Sequence, residues 1–65
     1  MSNETPAAHL ARLKVQFPDW SFWKGQATGH FWATPPPDAP VQELLSARTV
    51  PELEVLVRDA ESWRQ

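Results

Sequence analysis

The sequence predicts a small single domain of the α+β class, with a helix near each end of the chain and an antiparallel sheet between the helices. Two segments, 6–17 and 50–64, carry apolar residues at helical spacing, and each is preceded by a threonine and has a proline in its first turn. Between them, two aromatic segments, 20–23 and 30–34, flank a loop, 24–29, that contains both glycines of the chain, and we predict strands over 20–24 and 29–34. A chain of 65 residues has room for one domain only, which we place at 6–64.

The first helix is predicted over residues 6–17. Thr5 offers a hydroxyl N-cap, and Pro6 takes the first helical position, where an N–H has no partner in any case. Pro18 ends the helix, because the residue before a proline is driven out of the helical region. Apolar residues recur on one face of this helix: Leu10, Leu13 and Phe17. Residues 1–5 are predicted to be a disordered tail.

The two aromatic segments are predicted to pair as a hairpin across a six-residue loop. The even loop length predicts that Trp23 pairs with His30, which makes Trp23 and Trp32 diagonal neighbours. Period-two alternation assigns one apolar face to the helices: Trp20, Phe22, Phe31 and Ala33. The opposite face, expected to point outward, holds the candidate partner-binding residues Ser21, Trp23, His30, Trp32 and Thr34.

A proline-rich stretch, 35–40, follows the hairpin and is expected to be a stiff connector, because proline cannot donate to a sheet ladder. The residues after it allow two interpretations. Val41, Leu44 and Leu45 fit a short helix, whereas 44–48 can serve as a third strand.

The last helix is predicted over 50–64. Thr49 and Glu52 have the spacing of a capping box, in which each side chain accepts a hydrogen bond from the main-chain N–H of the other residue. An apolar stripe follows at helical spacing: Leu53, Leu56, Val57, Ala60 and Trp63. We expect this stripe and that of the first helix to pack on the same face of the sheet.

Three strings of the sequence resemble a group of short actinobacterial proteins. They span residues 17–23, 29–34 and 45–53. The third string matches the group's pattern L-x-A-x-T-x-x-E-L, and the first two resemble its patterns F/Y-P-G-W and G-x-W-x-A. Two features depart from the group: Asp19 stands where glycine is usual, and the proline run at 35–37 belongs to this chain alone.

The resemblance implies that 44–48 is the third strand, so that the fold is helix, three antiparallel strands and helix (α-β-β-β-α). Proteins of this group are often encoded near helix-turn-helix regulators, which implies a regulatory protein as the partner. The resemblance implies no catalytic residue.

Protein–protein recognition is the predicted function, because six of the seven aromatic residues fall between positions 17 and 32, too many for one side of a small core. Trp23 and Trp32 would be the anchors, since tryptophan is favoured at interfaces. The partner would be another protein or a second copy of the chain, as a homodimer. In a competing interpretation, the connector 35–40 covers both tryptophans, which are then part of the core.

The composition argues against several other functions. The chain has no cysteine, and His9 and His30 lie on separate elements, so neither a disulfide scaffold nor a metal site is predicted. No carboxylate stands behind His30 and Ser21, so we expect no catalytic residue, no enzyme activity, no cofactor and no small-molecule substrate.

We expect no membrane partner and a cytoplasmic location, because the sequence has neither a long apolar run nor a signal-peptide pattern. Two alternatives to protein recognition stay open: a structural homodimer that braces a larger assembly, and an accessory binder of single-stranded nucleic acid. The second is disfavoured, because residues 35–65 carry six acidic and three basic side chains.

Overall fold

The computed structural model describes residues 5–64, with side chains through residue 63, and confirms the α-β-β-β-α fold. Apart from Thr5, the predicted tail 1–5 lies outside the described residues. Residues 45–47 form a strand, so the ambiguous stretch after the connector is resolved in favour of a strand. The elements are α1 (Pro6–Gln16), β1 (Ser21–Lys24), β2 (Phe31–Thr34), β3 (Leu45–Ala47), α2 (Val50–Ala60) and a terminal 3-10 helix (Glu61–Arg64).

Both α-helices begin at a threonine cap, as the sequence predicts. The Ala8 N–H donates to Thr5 Oγ1 at 3.1 Å, and the Glu52 N–H donates to Thr49 Oγ1 at 3.4 Å. The predicted capping box of α2 is only half formed within residues 5–63, because no return bond joins the Thr49 N–H to the Glu52 carboxylate. At the other end of α1, Phe17 is the C-cap residue, and Pro18 prevents continuation.

The last helix is shorter than predicted. Its α-helical part ends at Ala60, where the Glu61 N–H bonds to the carbonyls of both Val57 and Asp59, and the chain tightens into a 3-10 turn. Two members of the predicted apolar stripe are not in the core: Leu56, within the α-helical part, is 39% exposed, and Trp63, in the 3-10 turn, is 36% exposed.

The sheet has the order β1-β2-β3, and both pairs of neighbouring strands are antiparallel. Trp23 pairs with Trp32, so the predicted pairing with His30 is wrong by two residues. The Gly25 N–H donates to the His30 carbonyl at 2.7 Å, and the Gly29 N–H donates back to the Gly25 carbonyl at 2.9 Å. These bonds close a tighter loop than the sequence predicts. A shift of two residues leaves each side chain on its predicted face, because strand side chains alternate with period two.

Both α-helices pack on one face of the sheet and enclose the core. Trp20 and Phe22 lie stacked in this layer, with ring centroids 6.5 Å apart. The buried apolar residues are Leu10, Leu13, Trp20, Phe22, Phe31, Ala33, Val50, Leu53 and Val57. Three residues predicted for the core lie at its margin or outside it: Phe17 and Ala60 are partly buried, and Leu56 is exposed.

The connector between β2 and β3 is folded back on the domain. Pro35 and Pro36 are buried, and the Gln42 side-chain amide donates to the carbonyls of Pro36 and Ala39, both at 2.8 Å. The connector lies beside Trp20, which belongs to the core layer, rather than over the opposite sheet face. No helix among residues 5–64 has the length and apolar character needed to cross a membrane.

Candidate functional site

The sheet face opposite the helices is the candidate site. We call it the outer sheet face, and its strand residues are Ser21, Trp23, Trp32, Thr34 and Ser46. The pairing of Trp32 with Ser46 extends this face onto β3, a contribution that the sequence interpretation missed because the position of the third strand was open. Not one of these five side chains is charged, so this face offers aromatic surface and hydroxyl groups.

The centre of the outer sheet face is a pair of stacked indoles. The rings of Trp23 and Trp32 have centroids 6.5 Å apart and planes inclined by 10°. The two residues are direct cross-strand partners, which places their side chains closer than the predicted diagonal arrangement would. Trp23 is 40% exposed and Trp32 is half-buried, so the pair presents an aromatic surface to solvent.

A glycine of the hairpin loop leaves room for the Trp32 indole. A Cβ atom at Gly25 would lie 2.7 Å from Trp32 Nε1, closer than such atoms can approach, and 3.2 Å from Trp32 Cδ1, which is a tight contact. The absence of a side chain at Gly25 therefore lets the Trp32 indole lie against the loop backbone. The loop and the stack on Trp23 together fix the orientation of the ring.

The other three predicted binding residues differ in exposure and in their position on the hairpin. Ser21 and Thr34 are cross-strand partners at the end of the hairpin away from the loop; Ser21 is exposed and Thr34 is half-buried. His30 is half-buried and lies just before β2, in the pair that closes the loop. Its N–H donates to Thr28 Oγ1 at 3.2 Å, so its main chain is part of the turn rather than of a strand.

The structure contains a polar cluster between the two α-helices that the sequence analysis does not predict, because His9 and Glu54 both lie outside the apolar stripes of their helices. His9 Nε2 lies 2.6 Å from Glu54 Oε1. Arg58 donates to Glu54 Oε2 through both Nε (2.9 Å) and Nη2 (2.7 Å), and its guanidinium lies 5.9 Å from the centroid of the Phe17 ring. The hydrogen bonds from His9 and Arg58 lower the pKa of Glu54, although partial burial opposes them.

This cluster is structural in character. Both carboxylate oxygens of Glu54 are occupied by partners from α1 and α2, which ties the two helices together. Within the described part of the chain, no group of three or more His, Asp or Glu side chains is arranged to hold a metal ion. The only sequence signal for the cluster was the helical spacing of Glu54 and Arg58, which favours a pair within one helix but does not reveal His9.

The chain is significantly similar to no protein-family model, no curated protein and no solved structure. The likeness to the actinobacterial group consequently stays a prediction from sequence patterns.

Proposed function

We propose that the chain is a non-enzymatic, cytoplasmic protein–protein interaction module that binds its partner on the outer sheet face. The observation that carries this proposal is the solvent-exposed, stacked pair of Trp23 and Trp32. Large aromatic side chains are the most common interface anchors, and an ordered ring loses little conformational entropy on binding.

The absence of charge on the outer sheet face bears on the type of partner. A single-stranded nucleic acid would need a basic track beside the stacking rings, and the five side chains of this face supply none. An apolar patch on a folded protein needs only shape and hydrogen bonds. The genomic neighbourhood that the resemblance implies makes a helix-turn-helix regulator the partner class that we favour.

The proposal is tested with a double variant, Trp23→Ser with Trp32→Thr. Both replacements suit an exposed strand position, so the domain should stay folded while it loses its partner. The matched control is Val15→Ser, which removes an apolar side chain that is 82% exposed on α1. In affinity capture from the native cytoplasm, partners held by the unmodified chain and by the control should be lost with the double variant. An unfolded double variant, or one that retains the same partners, would contradict the proposal.

Light scattering across a concentration series distinguishes a foreign partner from self-association. A dimer of the 7.4 kDa chain that the double variant dissociates would mean that a second copy occupies the face. A monomer at all concentrations would leave the face available to another protein. A steep loss of affinity with added salt would instead point to nucleic acid, because counterion release dominates such binding.

A further inference from the structure

A second concave surface lies on the other side of the sheet, between the proline connector and the C-terminal part of α2. It is a groove with a volume of about 350 Å³. This volume is at the lower end of the range of about 300–1,000 Å³ typical of binding sites, so it fits one or two bulky side chains. Its apolar walls are formed by Trp20, Pro40, Val41, Leu45, Leu56 and Trp63.

The walls of the groove include apolar surface that the core does not use. Val41 is 60% exposed, Leu56 is 39% exposed and Trp63 is 36% exposed, although all three face the same depression. Leu56 and Trp63 are the two residues of the predicted apolar stripe of α2 that lie outside the core. An occupant that covers them would remove this surface from water, at about 25 cal/mol per Å² of apolar area.

The charge of the groove indicates the kind of occupant. Glu43 and Asp59 line it, both are exposed, and neither carboxylate has an ion-pair or hydrogen-bond partner among residues 5–63. None of the described lining residues is basic. The groove therefore offers two carboxylates, unpaired within residues 5–63, beside an apolar surface, which complements a cation attached to an aliphatic group and repels phosphates and anionic lipids.

One buried donor is also left without a partner at this site. Trp20 lines the groove and is 5% exposed, and its Nε1 has no hydrogen-bond acceptor among the described residues. Buried donors without acceptors are rare in folded proteins because they are costly. The nitrogen itself has no surface open to the groove, so an occupant contacts other atoms of the Trp20 ring, and the indole N–H signal reports that contact.

We propose that this groove binds a peptide segment in which a basic side chain stands next to bulky aliphatic side chains. The aliphatic groups pack between Val41, Leu56 and Trp63, and the cation pairs with Glu43 and Asp59. A peptide segment of this composition supplies the apolar group and the cation together. The site differs from the outer sheet face in position and in charge, and it does not depend on the proposed function of that face.

The tryptophans allow the two sites to be observed separately. The chain has four of them, two at each site: Trp20 and Trp63 at the groove, and Trp23 and Trp32 on the outer sheet face. The four indole N–H signals in an ¹⁵N-correlated NMR spectrum of the full chain, assigned with single Trp→Phe variants, thus report which site is occupied. The probe is a blocked hexapeptide of alternating leucine and arginine, and the control peptide has glutamate in place of arginine.

We expect the arginine peptide to shift the Trp20 and Trp63 signals and to leave the Trp23 and Trp32 signals in place. Replacing Glu43→Gln together with Asp59→Asn should weaken binding about tenfold, the effect of two partly exposed ion pairs. The matched charge control, Glu52→Gln, should change the affinity by less than about twofold, because Glu52 does not line the groove.

The apolar wall is tested in the same titration with Val41→Ser, which should weaken binding about fivefold through the lost methyl contacts. Val55→Ser is its control, since Val55 is 65% exposed on α2 and does not line the groove. The proposal is overturned if Trp20 and Trp63 do not respond, if only Trp23 and Trp32 respond, or if the glutamate peptide or isoamylamine alone binds equally well. Movement of the same signals with protein concentration alone would mean that a second copy, not a peptide, fills the groove.

Discussion

The two glycines of the hairpin loop are required for different reasons. Gly25 needs space, because the Trp32 indole occupies the position that a Cβ atom would take. Gly29 needs backbone freedom, because its φ is +72° and nothing lies within 4 Å of its missing side chain. The sequence marks both positions as turn residues but does not distinguish a steric requirement from a conformational one.

Replacing Gly25→Ala should disturb the outer sheet face more than the fold. The new methyl group must displace the Trp32 indole from its stack on Trp23, at a cost of about 1 kcal/mol in the free energy of unfolding. The Trp32 indole N–H signal should move while those of Trp20 and Trp63 stay in place. An unchanged Trp32 signal would contradict the close approach of the ring to the loop.

The pH dependence of stability should report on Glu54. Its pKa is lowered from 4.5 by hydrogen bonds from His9 and Arg58. A carboxyl whose pKa is lower in the folded than in the unfolded chain stabilises the fold above the unfolded value, and that stability is lost as the pH falls through the folded value. We therefore expect urea midpoints to decline below about pH 4.5, and Glu54→Gln to flatten the decline.

The matched control for this experiment is Glu52→Gln, two residues away on the same helix. Glu52 is exposed, and its carboxylate accepts no hydrogen bond from His9 or Arg58. The control variant should retain the acid decline of the unmodified chain. If both variants flatten the decline equally, the effect belongs to the net charge of α2 rather than to the contact with His9.

At the scale of the elements, the α-helices and the face of each strand are predictable from local rules. Threonine caps and nearby prolines mark both helix starts, and period two assigns strand faces even when the register is wrong by an even number of residues. The register itself depends on main-chain bonds between Gly25, Gly29 and His30, which no side-chain pattern encodes.

Two further features of the elements could not be predicted from the sequence, because they depend on how elements distant in the chain pack against each other. The contact of His9 with Glu54 joins residues 45 positions apart, so the helical pattern of either segment alone treats both as water-facing. The exposure of Leu56 depends on where the connector folds back, which leaves a groove beside α2 instead of a closed core. A helical stripe predicts which face is apolar but not how completely that face is covered.

The cap of α2 should matter for the whole domain, since this helix contributes the buried residues Val50, Leu53 and Val57. Thr49→Ala removes the acceptor of the Glu52 N–H and should lower the free energy of unfolding by about 1 kcal/mol. Thr49→Ser, which keeps the hydroxyl, should restore most of the loss in urea unfolding. Equal stability of the alanine variant and the unmodified chain would mean that the 3.4 Å bond contributes nothing.

As a whole molecule, the domain has two layers, the helices and the sheet. The helices cover one face of the sheet, and the other face is open to solvent. The Cα atoms of the domain span only 16 Å in the thinnest direction. Side chains on one face of the sheet pack in the core, whereas we expect substitutions on the other face to have smaller effects on stability. The outer sheet face and the groove lie on opposite sides of the sheet, one uncharged and the other acidic.

This separation predicts unequal effects of substitution on the two sides. Leu53→Ala, at a fully buried position, should cost about 2–5 kcal/mol and leave much of a domain this small unfolded. Trp23→Ser should cost less, because 40% of that side chain is already in water. Chemical denaturation of both variants tests the contrast, and comparable losses would mean that the outer tryptophans belong to the core.

The left-handed backbone at Gly29 gives the loop a preference for the mirror-image amino acid. A chain of 65 residues is within reach of chemical synthesis, so D-alanine can be placed there. With φ at +72° and open space around it, D-alanine should fit without strain and raise the melting temperature, by restricting the unfolded chain by about 0.4–1 kcal/mol. L-alanine at the same position should cost about 1–2 kcal/mol. Two proteins of identical composition would then differ in stability through the handedness of one carbon atom.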